Sequence, residues 1–142
     1  MSEKTKHAVE LHNRGYNCAQ AVACTFCESF GMKEEDLFRI SEAFGLGMGM
    51  MDMCGAVTGM LMVIGMDNSI GSLDNGAPTK ADTYQKARRY IEKFREKNGS
   101  CYCRELKGVD SGKMLCSCEQ CIMDGVNLAE EYLKESAGNC NL

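Results

Sequence analysis

Residues 53–65 constrain the fold most, because an apolar run is combined there with glycines at helical spacing. Gly55 and Gly59 are four residues apart, so a helix would place both on one face that carries no side chains. A glycine in a helix interior costs about 1 kcal/mol relative to alanine, and such a face is expected where another backbone or a bulky cofactor comes close. The sequence therefore predicts a central helix with Asp52 as its N-cap. Cys54 would lie in the first turn, where amide dipoles favour a thiolate.

Five further segments have the apolar periodicity of helices. They cover residues 3–14, 18–27, 34–44, 79–98 and 117–136. Asn17 is the predicted cap of the second of these helices, so Cys18, like Cys54, would lie just inside a helix start. Glycine-rich loops separate the segments, and none has the alternation of a strand. The prediction is an all-α fold, with one compact domain over residues 1–142 that forms a bundle of about five to six helices with Gly-rich loops.

Charge and hydropathy exclude several classes of protein. The net charge is −4, and no basic run offers the clustered charge that nucleic-acid binding needs. The apolar run at residues 53–66 is shorter than the roughly 20 residues that span a bilayer. The first residues, Met-Ser-Glu-Lys-Thr-Lys-His, are not followed by the apolar segment of an export signal. We therefore expect a cytoplasmic protein without nucleic-acid binding or membrane insertion.

Ten cysteines in 142 residues are the chemical anomaly of this composition. Without an export signal, thiols at this density favour metal ligation or catalytic thiol chemistry over structural disulfides. Local clusters are Cys24-x-x-Cys27, Cys101-x-Cys103 and Cys116-x-Cys118-x-x-Cys121, with Cys140 near the end. A two-residue spacing lets both thiolates reach one metal from a turn or a helix start. Cys24 and Cys27 fall in an apolar helix, where the alternative is that they pack as small hydrophobic side chains.

Four blocks of the sequence, in this order, resemble the family of redox-active proteins named for its pattern, C_GCAxxG_C_C. The blocks are Gly-Tyr-Asn-Cys-Ala-Gln-Ala-Val at 15–22, Met-Cys-Gly-Ala-Val-Thr-Gly at 53–59, Cys-Arg-Glu-Leu-Lys-Gly at 103–108, and Cys121 in the last helix. The resemblance implies four key cysteines, which here are Cys18, Cys54, Cys103 and Cys121. Cys101 is an alternative to Cys103, Cys118 is an alternative to Cys121, and Cys116 is a further substitute ligand.

The family is also similar to the non-haem part of split-Soret cytochromes, which are dimers with an iron–sulfur centre beside haem. This likeness implies an iron–sulfur cluster and a homodimer here, without haem, because no haem-attachment motif is present. Thiolates are soft ligands that suit such a cluster, and helix-start amides near Cys18 and Cys54 would raise its reduction potential. A wall of methionines is expected to exclude water. Its members are Met48, Met50, Met51, Met53, Met60 and Met62.

Three functions are compatible with these residues. The first is a redox or electron-transfer protein with an iron–sulfur cluster on the four cysteines, serving a redox partner protein that the sequence does not identify. The second is a metal-free thiol–disulfide oxidoreductase with Cys54 and Cys18 as catalytic thiols. The third is a zinc- or copper-binding protein, in which methionines would be thioether ligands of Cu(I). His7 and His12 are five residues apart, so we expect them at the surface and not on a shared metal.

Overall fold

The computed structural model describes the backbone of residues 1–140 and the side chains of residues 1–138. Seven α-helices lie within the described backbone, one more than the upper limit predicted from the sequence. They are α1 (Glu3–Asn13), α2 (Cys18–Thr25), α3 (Glu34–Ser41), α4 (Gly55–Asn68), α5 (Lys80–Asn98), α6 (Cys103–Lys107) and α7 (Cys118–Cys140). The all-α prediction is confirmed. The additional helix is α6, whose five residues are too few to show a helical period.

Strands and membrane-spanning helices are not found in the described part of the chain. The only strand-like pairing there is an isolated antiparallel bridge between Met53 and Tyr102. None of the described helices has both the length and the apolar character that crossing a membrane requires.

The third predicted helix is shorter than expected. α3 ends at Ser41, and a 3₁₀ turn (Glu42–Phe44) continues the chain. Leu37 and Ser41 are buried, whereas Ile40 is 56% exposed. Leu37 and Ser41 are four residues apart and so lie on the same side of this short helix. The 3₁₀ turn that follows changes the helical period and ends that buried side.

Helix α4 lies at the centre of the fold, in contact with α2, α5 and α7. Its side chains Val57, Met60, Val63 and Ile64 are fully buried. The predicted close approach of a second backbone at the glycine face is confirmed. A Cβ atom added at Gly55 would lie 3.0 Å from the Ala19 amide nitrogen, and one at Gly59 would lie 2.9 Å from the Ala19 carbonyl oxygen. The two glycines therefore let α2 pack directly on α4.

A third glycine brings α7 against the start of α4. A Cβ atom added at Gly125 would lie 2.9 Å from the carbonyl oxygen of Ala56. Because Gly125 lies near the beginning of α7 and Ala56 near the beginning of α4, this contact sets the two helix starts side by side. The contact between Gly55 and Ala19 likewise sets the start of α2 beside the start of α4. The amino ends of α2, α4 and α7 therefore meet in one region.

The start of α4 differs from the prediction. The helix begins at Gly55 with Cys54 as its N-cap residue, so the prediction that Asp52 caps it was wrong. A tight turn over Gly47–Met51 precedes it, with Met51 in the left-handed conformation, and this turn leaves Asp52 in a non-helical conformation. The Asp52 carbonyl oxygen accepts a hydrogen bond from the Cys103 amide at 2.7 Å. Asp52 therefore joins α4 to α6 instead of capping a helix.

Candidate functional site

The amino end of α2 holds Cys18 in a defined position. The Asn17 side chain accepts a hydrogen bond from the Gln20 amide, and the Gln20 side chain accepts one from the Asn17 amide, each at 2.9 Å. This capping box confirms the predicted role of Asn17. The Asn17 side chain also donates to the carbonyl oxygen of Glu42 at 2.9 Å, which ties the helix start to the 3₁₀ turn after α3.

Cys54 and Cys103 are brought together by backbone hydrogen bonds between two distant segments. The Cys54 amide donates to the Cys101 carbonyl oxygen at 2.8 Å, and the Cys103 amide donates to the Asp52 carbonyl oxygen at 2.7 Å. These two bonds flank the bridge between Met53 and Tyr102. The starts of α4 and α6 therefore lie beside each other, each with a cysteine.

The start of α7 brings three more cysteines to the same place. The amides of Leu115 and Cys116 donate to the Leu106 carbonyl oxygen at 2.9 and 3.2 Å, which fastens the loop before α7 to α6. The Ser117 hydroxyl oxygen accepts a hydrogen bond from the Gln120 amide at 3.1 Å, as an N-cap side chain does. Cys118 is then the first residue of α7, and Cys121 follows one turn later.

These helix starts enclose a cavity of about 200 Å³. Six cysteines line it: Cys18, Cys54, Cys103, Cys116, Cys118 and Cys121. The other lining residues are His12, Asn17, Leu46, Gly47, Gly55, Leu106 and Lys107. No carboxylate belongs to this wall, so sulfur is its main donor atom. Such a donor set suits soft metals and thiol redox chemistry.

Cys18 and Cys118 both line the cavity, and their thiols shift each other's pKa in opposite directions. A hydrogen bond from Cys18 is the main reason that the pKa of Cys118 is lowered to about 5, and the nearby Lys107 and His12 side chains act in the same direction. The same hydrogen bond, followed by burial, raises the pKa of Cys18 above its ordinary value. The interaction therefore favours the thiolate form of Cys118 and the protonated form of Cys18.

Cys54 and Cys121 also line the cavity and shift each other's pKa in opposite directions. Their hydrogen bond is the largest cause that lowers the pKa of Cys54, and the backbone amides of Ala56 and Val57 lower it further. The same contact raises the pKa of Cys121, which also has a hydrogen bond with Cys116. These amides belong to the first turn of α4. The helix start therefore favours the Cys54 thiolate as predicted, although the N-cap residue is Cys54 itself and not Asp52.

Of the remaining two cavity thiols, Cys103 and Cys116, only Cys116 has a hydrogen-bonded thiol partner. Burial raises the pKa of Cys103 and is also the main cause that raises the pKa of Cys116. Among the described residues, no three His, Cys, Asp or Glu side chains are arranged to hold one metal ion. The thiols thus meet mainly two at a time around the cavity.

The family comparison covers the part of the chain that contains all six cavity cysteines. Residues 16–132 match the family described as "Putative redox-active protein (C_GCAxxG_C_C)". The chain belongs to this family. No curated protein and no solved structure matches it. Membership in the C_GCAxxG_C_C family supports a cysteine-based redox role for the chain.

All four cysteines that the C_GCAxxG_C_C resemblance implied line the cavity, and so do Cys116 and Cys118, which were named as alternatives. Cys101 is buried but its side chain does not line the cavity, and its carbonyl oxygen serves to position Cys54. The nine cysteines whose side chains are described are free thiols. The side chain of Cys140 lies outside the described residues.

Cys24, in the last turn of α2, and Cys27, two residues beyond the end of that helix, lie away from the cavity. Cys24 is buried, and its thiol donates to the Glu34 carbonyl oxygen at 3.9 Å. Burial, reinforced by the Glu34 charge, raises the pKa of Cys24 to about 12 and also raises the pKa of Cys27. Cys24 therefore behaves as the small hydrophobic side chain that the sequence suggested as an alternative.

Sequence reasoning missed two basic residues of the site. His12 was expected at the surface, but it lines the cavity, and its Nδ1 atom pairs with the Tyr16 carbonyl oxygen at 2.9 Å. Lys107 lines the cavity at the end of α6. His12 lies four residues after the buried Ala8, on the same side of α1, and that spacing was the available signal. Lys107 had no comparable signal, because α6 was not recognised as a helix.

The expected methionine wall is wrong. None of its six methionines lines the cavity, Met48 and Met50 are exposed, and Met60 belongs to the central core. Leu46 and Gly47 line the cavity instead. The turn that contains them has positive φ at Leu46, Met48 and Met51, a backbone path that helical periodicity does not predict.

Proposed function

We propose that this chain is a redox protein that carries an iron–sulfur cluster in the cysteine-lined cavity, held by Cys18, Cys54, Cys103 and Cys121. The observation that carries the proposal is the convergence of six thiols from four helix starts on one cavity of about 200 Å³ without a carboxylate. Iron–sulfur clusters are held by cysteine thiolates, usually four of them. The donor set present therefore fits the cluster that the family likeness suggests.

The protein groups around the cavity would tune such a cluster. A bound cluster supplies the one-electron redox chemistry. Amides at the starts of α2 and α4 and the Lys107 ammonium offset negative charge on the sulfur atoms, which favours the reduced state. Leu46 and Leu106 contribute apolar surface to the wall and limit access of water. The chain thus combines soft ligands with positive electrostatic potential.

Anaerobic purification tests this proposal. Protein isolated without oxygen should be brown and contain iron and acid-labile sulfide in comparable amounts. The variant Cys54→Ser should lose at least about nine-tenths of both, because it removes the ligand at the start of the central helix. Cys27→Ser is the matched control, since that thiol lies outside the cavity, and it should retain the full content. Colourless native protein without iron and sulfide after anaerobic reconstitution would contradict the proposal.

A second function is favoured by the thiol contacts themselves. In a metal-free thiol–disulfide oxidoreductase, the Cys118 thiolate would attack one sulfur of a substrate disulfide and release the other as a thiolate. Cys18 would then attack the mixed disulfide, lose its proton and release the second substrate thiol, leaving a Cys18–Cys118 disulfide. Cys54 and Cys121 offer the same chemistry, with Cys54 as the attacking group.

Metal dependence and metal identity separate these functions. A thiol–disulfide oxidoreductase should lose two free thiols for each substrate disulfide that it reduces, with a rate that chelators do not change. An iron–sulfur protein should lose its redox activity together with its iron. Stoichiometric zinc or copper without sulfide would favour the metal-binding alternative.

A further inference from the structure

Leu46 is the apolar residue of the cavity wall that also reaches solvent. It lines the cavity and is 47% exposed, whereas Leu106, the other leucine of the wall, is 2% exposed. The cavity thiols of Cys54 and Cys103 are buried. A side chain that belongs both to the cavity wall and to the molecular surface lies at the mouth of the cavity. Leu46 therefore stands where a solute would enter on its way to the buried thiols.

The backbone at Leu46 has a conformation that leucine rarely adopts. Leu46 and Met48 have φ angles of 53° and 59° and both lie in the left-handed region. Residues with a Cβ atom are sterically strained there, and such residues persist only where their surroundings fix them. Strained residues are concentrated at functional sites. The turn at residues 45–51 must therefore be held in place by its neighbours.

Close backbone contacts supply that support, and they involve two segments that carry cavity cysteines. A Cβ atom added at Gly47 would lie 2.9 Å from the Cβ atom of Cys103, and one added at Gly45 would overlap the Asn17 side chain. The Asp52 amide donates to the Gly47 carbonyl oxygen at 3.0 Å and closes the turn. Asn17 caps α2 and Cys103 begins α6, so the turn is fixed against the starts of both helices.

Met48 is a close comparison for Leu46 within the same turn. It has the same left-handed conformation and is 40% exposed, but it does not line the cavity. The two residues are thus alike in strain and in exposure. They differ in that only the Leu46 side chain forms part of the cavity wall.

We propose that Leu46 is the residue that determines access to the cavity. Its side chain limits the passage of solutes to the buried thiols, and the turn at residues 45–51 holds that side chain at the mouth. Small molecules reach thiols such as Cys54 slowly, and a disulfide on the surface of a folded protein does not reach them. The inference concerns the cavity and not its contents, so it is independent of the iron–sulfur proposal.

Glycine variants test the inference, because glycine adopts the left-handed conformation without strain. Leu46→Gly and Met48→Gly relax the same turn, and each removes one side chain. The reporter is Cys54, whose thiolate is favoured but whose exposure is only 6%, so access limits its reaction. In reduced full-length protein treated with a chelator, iodoacetamide should label Cys54 at least about fivefold faster in Leu46→Gly than in native protein. Met48→Gly should label at the native rate.

Leu46→Ala separates the side chain from the backbone. Alanine keeps a Cβ atom, so this variant does not relax the turn, but it shortens the side chain and should also accelerate the labelling of Cys54. A native rate in both Leu46 variants would overturn the inference. Equal acceleration in Leu46→Gly and Met48→Gly would overturn it too, because it would show a loosened turn and not an opened mouth.

A measurement on the native protein needs no variant. N-ethylmaleimide and a maleimide attached to a long polyethylene glycol chain differ in size but share one reaction with thiols. The ratio of their labelling rates should be at least about tenfold larger for Cys54 than for Cys27, which is half-buried outside the cavity. Equal ratios would refute a restricted mouth. None of these experiments measures iron or sulfide, so their results stand apart from the test of the cluster.

Discussion

The two ends of α2 carry cysteines with opposite chemical character. At the amino end, Cys18 lies in a cavity with five other thiols and contacts the Cys118 thiolate. At the carboxyl end, Cys24 is buried beside Glu34, and its pKa is raised to about 12, first by burial and then by the Glu34 charge. The same residue type in one eight-residue helix thus takes part in thiolate chemistry at one end and in packing at the other.

Helix polarity and neighbouring charges explain the difference. The amino end of a helix presents free amides and positive potential, whereas the carboxyl end presents carbonyl oxygens and negative potential. At the cavity, the starts of other helices and Lys107 add to the favourable potential, but at Cys24 the Glu34 carboxylate adds to the unfavourable one. Cysteine count alone therefore says little about which thiols are reactive.

The largest expected effect is a difference in thiol reactivity between the two ends. At pH 7, Cys118, with a pKa of about 5, is almost entirely thiolate, whereas Cys24, with a pKa of about 12, is thiolate in about one molecule in 10⁵. A thiolate with a high pKa is intrinsically more nucleophilic, and this reduces the expected ratio of labelling rates by a factor of about 10³. Iodoacetamide should therefore label Cys118 about 100-fold faster than Cys24 in reduced, metal-free protein.

The pH dependence provides the control for that experiment. Labelling of Cys24 should rise about tenfold per pH unit from pH 7 towards 12, while labelling of Cys118 should be level above pH 6 and fall below pH 5. Cys27 is half-buried and should remain slow at pH 7, which separates the effect of pKa from that of exposure. Peptide-resolved mass spectrometry measures all three rates. Equal rates for Cys118 and Cys24 at pH 7 would break the comparison.

A smaller effect is expected where α4 supports the amino half of α2. In Gly59→Ala, the new methyl group would lie 2.9 Å from both the Ala19 carbonyl oxygen and the Val22 Cβ atom, so the helices must separate. The free energy of unfolding should fall by about 2 kcal/mol. Gly65→Ala in the same helix meets nothing within 4 Å and should be neutral or stabilising by up to about 1 kcal/mol. Urea denaturation of both variants measures the contrast, and similar losses would show that the contact is not specific.

The smallest effect concerns the cap that positions Cys18. Asn17→Ala removes the hydrogen bonds to the Gln20 amide and the Glu42 carbonyl oxygen, and it should lower the free energy of unfolding by about 1 kcal/mol. Lys33→Ala is the control, because Lys33 precedes α3 without a side-chain capping bond, and it should have almost no effect. Thermal unfolding detects the difference. An equally small loss for Asn17→Ala would mean that packing on α4 alone holds the amino end of α2.

The sequence was informative where local physics decides the outcome. The Asn17 cap depends on residues three apart, and the packing role of Gly55 and Gly59 follows from helical spacing, so both could be predicted. The cap of α4 could not, because it depends on the left-handed conformation of Met51 in the preceding turn. The grouping of Cys118 with Cys18 was also hidden, since it requires α7 to pack on α4 through Gly125.

By itself, the sequence determined that the chain is helical, rich in thiols and built around a glycine-faced helix, because periodicity, composition and spacing are local properties. Only the tertiary structure decided which thiols meet. Cys18 and Cys118 line one cavity because the starts of two distant helices lie beside it, whereas Cys24 is kept apart from it by the length of α2. Proton sharing and ligand pairing depend on distances of a few ångströms between segments remote in the chain, and those distances are set by packing.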